Sequence, residues 1–276
     1  MAKAISIRSQ PGQSAVLIAL AFLIALAIAG PWIVPYDPTE TNPIEALQRP
    51  GRTHLFGTDA LGRDMFSRTI AATRTDLVVA GASVLAALVI GSILGAAAGW
   101  RGGWVDRIVG RLMDTIMAFP LFVLAVGVAA AMGNSIMSVV VATTVVNLPF
   151  YVRQVRTEVN LRRNAGYVEA ARLAGFGPVA ILSGQILPNL APPLMVQSSL
   201  NMGWAILNAA GLSFIGLGVR PPTAEWGIMV AEGASFIVSG EWWVAFFPGI
   251  VLMAAVFCFN LMGGGLRDIV DPQQRT

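Results

Sequence analysis

The chain has 276 residues, 55% of them hydrophobic and only 12% charged, with a formal net charge of +3. Soluble globular domains carry about a quarter charged residues, and the charges here are bunched between long uncharged runs, which excludes a soluble fold. Enzyme chemistry is poorly supplied as well. A phosphate-cradling loop of the Walker type needs a Lys that reaches the nucleotide, and the only Lys is Lys3, which lacks the glycine spacing. One His and one Cys cannot build a zinc site. His54 reads as a loop residue and Cys258 as apolar packing in the last run, and no span carries the His or Lys that a serine-based intramembrane protease would want. The composition therefore predicts a chain that is no enzyme and holds no metal or cofactor of its own.

Taken in chain order, the runs without Asp, Glu, Lys or Arg are Ser14 to Val34, Leu77 to Trp100, Thr115 to Met132, Ser135 to Val152, Leu173 to Val219 and Trp242 to Leu266. About 20 such residues cross a bilayer as a helix. The first run also resembles a cleaved signal peptide, with Lys3 and Arg8 before it and Ala27-Ile28-Ala29 within it, but its apolar length through Val34 favours an uncleaved anchor. The fifth run is too long for one span. Pro188, Pro192 and Pro193 break it, so a soluble part is expected to about Leu187 and a helix after it. The result is an all-α membrane protein with six transmembrane helices.

Orientation follows from the basic residues. With the N-terminus inside, 12 of the 18 basic residues and 6 of the 15 acidic ones fall in cytoplasmic segments, a balance of +6 inside against −3 outside. The positive-inside rule then puts both termini in the cytoplasm. The pI near 9.6 is a sign of topology and not of nucleic-acid binding.

Between the fourth and fifth spans lies a stretch unlike its surroundings, YVEAARLAGFGPVAILSGQILPN, from Tyr167 to Asn189. If Gly166 to Ala174 is helical, Tyr167, Ala170, Ala171 and Ala174 share one small, smooth face. Glu169 and Arg172 on the neighbouring face are spaced to pair weakly, and Gly175, Gly177 and Pro178 end the helix. Small side chains let a helix seat in a groove of another protein; an interfacial helix on lipid is the equal alternative. Asp114 lies just inside the third span with Arg111 and Arg107 on its face, which predicts a boundary ion pair more than a proton relay. In the fifth span Gln197, Asn201 and Asn208 share a stripe that must face protein or water. It either lines a translocation path or makes helix-to-helix hydrogen bonds. Gly211, Gly216, Gly218, Pro221 and Pro222 end that span. Gly51-Arg52, Gly57-Thr58-Asp59, Arg63-Asp64 and Arg68 form either a capping segment or a solvated charged loop.

The run Glu169-Ala170-Ala171, three residues, Gly175, nine residues, then Gln185-Ile186-Leu187-Pro188 resembles the EAA loop of permease subunits of binding-protein-dependent ABC importers. HLFGTDALGRDMFSR (His54 to Arg68), LSFIGLGVRPPTAEWG (Leu212 to Gly227) and NLMGGGLRDIVDP (Asn260 to Pro272) are similar to the C-type permease of the dipeptide/oligopeptide/nickel family. Gln185 stands where many members have Ile or His, and Gly264 where many have Asp. The resemblance implies a type I importer fold: an N-terminal tail, first helix and external loop (1–72), a permease domain (73–266) holding the EAA loop (158–188), and a cytoplasmic tail (267–276). It implies that Tyr167, Glu169, Ala170, Ala171, Arg172, Ala174 and Gly175 form a coupling helix docked on an ATPase. It further implies a second homologous permease, two ATPase subunits or one fused chain that bind the ATP and magnesium, and an extracytoplasmic solute-binding protein that delivers peptides. An ATP-independent channel or secondary transporter is the competing class. It lacks intramembrane charges for ion binding apart from Asp114, and an obvious inverted repeat; a purely structural scaffold would leave the loop motifs unexplained.

Overall fold

The computed structural model describes residues 11–270, without the side chains of 11–16, 31 and 266–270. Lys3, Arg8, Asp271 and Arg275, part of the charge count, lie outside the described residues. Ten α-helices run in the order α1 (Pro11–Ile33), α2 (Met65–Arg101), α3 (Gly103–Ala118), α4 (Leu121–Met132), α5 (Ile136–Arg162), α6 (Gly166–Leu173), α7 (Pro178–Ile181), α8 (Ala191–Phe214), α9 (Trp226–Ala234) and α10 (Trp243–Val270). Among the described residues the only β pairing is an isolated bridge between Thr58 and Asp64.

Four helical stretches are long and apolar enough to cross a membrane, those of α2, α5, α7–α8 and α10, and the pair α3 and α4 makes a fifth if it counts as one span. The first expected span is the 23-residue helix α1. The third differs from the sequence reading. Thr115 to Met132 is not one helix: α3 and α4 meet at a 96° bend. Pro120 causes it, because its ring pushes the preceding residue out of the helical region, and Phe119 is extended at φ −87°, ψ 146°. The fifth span differs too. Helical structure begins at Pro178, and the prolines are absorbed by a π turn at Leu182–Ile186 and a 3-10 turn at Leu187–Leu190 before α8 starts with Pro192 and Pro193 in its first turn. A first-turn proline removes an N–H that has no helical acceptor anyway, so no break is needed.

Helix α2 is the axis of the bundle. Its 37 residues are about 55 Å long at 1.5 Å per residue, against about 30 Å of hydrocarbon, so it projects beyond the membrane. Asp64 starts it, its carboxylate accepting from the Ser67 N–H at 2.7 Å, and Gly102 at φ 62° ends it. Gly91, Gly95 and Gly99 recur every four residues on the face against α5. A Cβ on them would lie 2.6 Å from Tyr151 Cβ, 2.7 Å from the Val152 carbonyl and 2.7 Å from the Arg156 carbonyl, respectively. The missing side chains let the two backbones approach, the usual route to tight helix pairing in lipid. One core cluster joins α1, α2, α5, α6, α8, α9 and α10. A second gathers Val79, Ala125, Ala129, Val139, Ala142, Val146, Ala209 and Leu212 from α2, α4, α5 and α8.

At one end of the bundle, residues 34–64 and 215–242 fold into a cap that buries Asp59, Arg63, Asp64 and Arg68 in paired charges, whereas Gly51 and Arg52 stay exposed. His54, 4% exposed, holds Nδ1 2.8 Å from Asp64 and Nε2 3.5 Å from Glu45. Arg63 and Arg68, both buried, share Asp59 and Glu232 at 2.6–3.5 Å. Phe56 stacks on Phe247 of α10 with ring centres 4.0 Å apart, and the Trp243 indole donates to the Thr58 carbonyl.

Candidate functional site

At the opposite end of the bundle from the cap, α5 runs out to Arg162 and the chain turns into α6. The expected helix is present within one residue, with Ala174 as its C-cap. Its end is a Schellman motif: the Phe176 N–H reaches the Ala171 carbonyl and the Gly175 N–H the Arg172 carbonyl, each at 3.0 Å. Gly175 sits at φ 85°, where a side chain is strained.

The two faces of α6 are not those of the sequence reading. Val168 and Ala171 are buried in the chain's own core, so Ala171 leaves the predicted smooth face. Tyr167, Glu169, Ala170 and Ala174 are exposed, followed by Leu173 at 90% exposure and Phe176 at 54%. Arg172 does not pair with Glu169. It lies over the Trp100 ring, 4.8 Å from its centre, and donates to the Arg163 carbonyl at 3.1 Å. Arg163 in turn donates to the Gly99 carbonyl at 3.1 Å. The short helix is thereby tied to the ends of both α2 and α5, while an apolar face points outward.

The boundary ion pair has a different partner from the one expected. Asp114 accepts from Arg153 of α5 at 2.6 Å, both side chains half exposed, and Asp106 pairs with Arg156, also of α5. Arg107 turns back to the Gly103 carbonyl, and no acid faces Arg111 among the described residues. The spacing along α3 was legible in sequence, but the acids are spent across to α5.

The polar stripe on α8 divides. Asn201 is buried and accepts from Gln197 at 2.9 Å, and Tyr151 of α5 donates to Ser198 at 3.1 Å. Asn208 donates to the Trp204 carbonyl one turn back. The Asn201 bond thus stays within α8, and its Nδ2 is buried without a hydrogen-bond partner. The open surface of this region is an apolar groove of about 790 Å³ between α2, α8 and α10, lined by Leu88, Ile93, Leu194, Met195, Met202 and Met262 among others. Nothing in the sequence pattern of α8 singled out that groove, because it is assembled from three helices.

The sequence matches the family model described as "Binding-protein-dependent transport system inner membrane component" over residues 68–276, and that for the "N-terminal TM domain of oligopeptide transport permease C" over residues 10–50. The chain belongs to the binding-protein-dependent transport system inner membrane component family. This permease is 39% identical to the di/tripeptide transport system permease protein DppC of Pseudomonas aeruginosa, covering 94% of this chain and 88% of that one. It is 41% identical to the probable D,D-dipeptide transport system permease protein DdpC of Escherichia coli, over 94% and 86%. The glutathione transport system permease protein GsiD of Pectobacterium atrosepticum is 39% identical over 92% and 84%. Among solved structures, inward-facing conformations of the MetNI methionine ABC transporter share the fold at a TM-score of 0.58 and 19% identity, covering 75% of this chain and 98% of that one. The fold is therefore shared with a chain that has little sequence in common.

Proposed function

We propose that this permease is one half of the membrane path of an ATP-driven peptide importer, with α6 as the element on which an ATPase subunit acts. The carrying observation is the two-sidedness of α6: Val168 and Ala171 anchor it inward, Arg172 and Arg163 bind it to the ends of α2 and α5, and Tyr167, Ala170, Leu173 and Ala174 stand free. A groove on a second protein would cover the free face. Motion of that protein would then pull on two spanning helices at once, through contacts too short to slacken.

In this reading a second homologous permease completes the path, two ATPases (or one fused chain) bind ATP and magnesium, and an extracytoplasmic binding protein delivers cargo at the cap end. The α6 end and both termini are cytoplasmic. Work is done because ATP binds the two conformations of the assembly with different affinity, which is the only way a ligand shifts such an equilibrium. Peptides are the proposed cargo, on the strength of the relatives' names. Catalysis of ATP hydrolysis resides in the partner subunits.

The test is Gly175→Val in the assembled transporter. A β-branched residue at positive φ costs about 1–2 kcal/mol and should distort the Schellman turn. We expect normal membrane insertion and assembly, with loss of ATPase stimulation by loaded binding protein and loss of labelled dipeptide uptake. Gly175→Asn, which tolerates the left-handed region, should keep both. Wild-type coupling in the Val variant would sink the role of α6.

A further inference from the structure

Where the cap meets α2 lies a pair of acids that the transport reading does not use. Asp76, on α2 immediately before the uncharged run, is 1% exposed, and Glu225, the residue before α9, is 2% exposed. Their side chains lie against each other. Each has one oxygen committed to a backbone donor: Asp76 Oδ2 accepts from the Trp226 N–H at 3.1 Å, and Glu225 Oε2 accepts from the Ile228 N–H at 2.8 Å, capping α9. The other oxygen of each, Asp76 Oδ1 and Glu225 Oε1, is buried with no hydrogen-bond partner. The start of α9 is held rigidly in place. Trp226 is fully buried and its indole donates to the Thr69 carbonyl of α2 at 3.1 Å, and Gly227 lies so close to the Ala210 backbone of α8 that a Cβ would clash.

Two adjacent buried carboxylates cannot both be charged without a counterion, and none faces them. Arg63 and Arg68 are committed to Asp59 and Glu232. Arg74 and Arg220 are exposed, and Glu241, before α10, would add negative charge only. The parts of α4, α5 and α8 that face this level, and α10 to Gly265, contain no Asp, Glu, Lys, Arg or His. Among the described residues no group of three or more His, Cys, Asp or Glu that could hold a metal ion is found, here or elsewhere. One proton resolves both orphan atoms, because a protonated carboxyl donates and its neighbour accepts.

We propose that Asp76 and Glu225 form a proton-binding site, with one proton held between Oδ1 and Oε1, and that this proton clasps α9 to α2 at the cap end of the permease. Removing it leaves two like charges in contact in a buried site and drives the start of α9 away from α2, so the clasp opens as pH rises. The site is independent of the transport reading and fails separately from it. A proton bound in the folded state and absent from the unfolded chain stabilises the fold, and that contribution is lost in alkaline solution.

Infrared spectroscopy of the full chain in lipid bilayers tests this directly. The wild type should show the carbonyl stretch of a protonated carboxyl at neutral pH. That band should vanish in Asp76→Asn and in Glu225→Gln, where an amide N–H replaces the shared proton. Thermal stability of the wild type should fall toward alkaline pH, and the fall should be absent in Asp76→Asn. If no neutral-pH band is removed by either substitution, or if the alkaline fall persists unchanged in both amide variants, the shared proton is refuted. Should one variant fail to fold, the other variant and the wild-type titration decide.

Discussion

At the residue scale, burial separates side chains that matter from those that only look paired. The Asp114–Arg153 pair is half exposed on both sides, and exposed ion pairs contribute about 0–1 kcal/mol. Asp114→Ala should therefore leave thermal stability within about 1 kcal/mol of wild type, and a double-mutant cycle with Arg153→Ala should give a coupling no larger. A loss of several kcal/mol in that cycle would show that another subunit buries the pair. His54 is the opposite case. Enclosed by Asp64 and Glu45, it supports the residue that caps α2, so His54→Ala should cost about 1–3 kcal/mol through unsatisfied buried partners, seen as a lowered unfolding temperature of the purified chain. Composition alone gave His54 no importance, because its partners are 9 and 10 residues away and meet it only in the folded cap.

At the element scale, glycine spacing and proline position account for most of the architecture. The Gly91, Gly95, Gly99 repeat brings α2 onto α5, and Gly95→Val should overpack that contact by about 1–3 kcal/mol, measured as reduced thermal stability in detergent with unchanged helix content. Gly81, on the same helix, has nothing within 4 Å of where a Cβ would stand, and Gly81→Ala should be neutral. Hydropathy read both the third and the fifth spans by their lack of charge. Pro120 then bends the third by 96°, whereas the prolines near α8 fall where π and 3-10 turns absorb them. A proline's effect depends on whether its neighbours can supply an alternative hydrogen bond, and that is not visible in a count of apolar residues.

For the whole molecule, the arrangement of charge sets the orientation. With Cys258 replaced by Ala, a cysteine introduced at exposed Ala60 in the cap should react with an impermeant maleimide added outside intact cells. One introduced at exposed Asn164, beside α6, should react only after the membrane is opened. The reverse pattern would invert the proposed topology and remove α6 from the ATPases. The partner subunits are tested by gentle extraction, in which a second permease and Walker-motif ATPases should remain bound; a stable solitary chain would favour an interfacial role for α6.

The sequence by itself determined that the chain crosses a membrane repeatedly, and where the short helix after α5 begins and ends. These follow from local rules: hydrocarbon admits only backbone that satisfies itself, and Gly and Pro act on their own neighbours. The tertiary structure alone decided which face of α6 is free, that Asp106 and Asp114 turn to Arg156 and Arg153, and that Asn201 is buried. It also brought Asp76 against Glu225, 149 residues further along the chain. Each of these rests on contacts between elements far apart in sequence, and periodicity within one helix fixes which side chains share a face without fixing what that face meets.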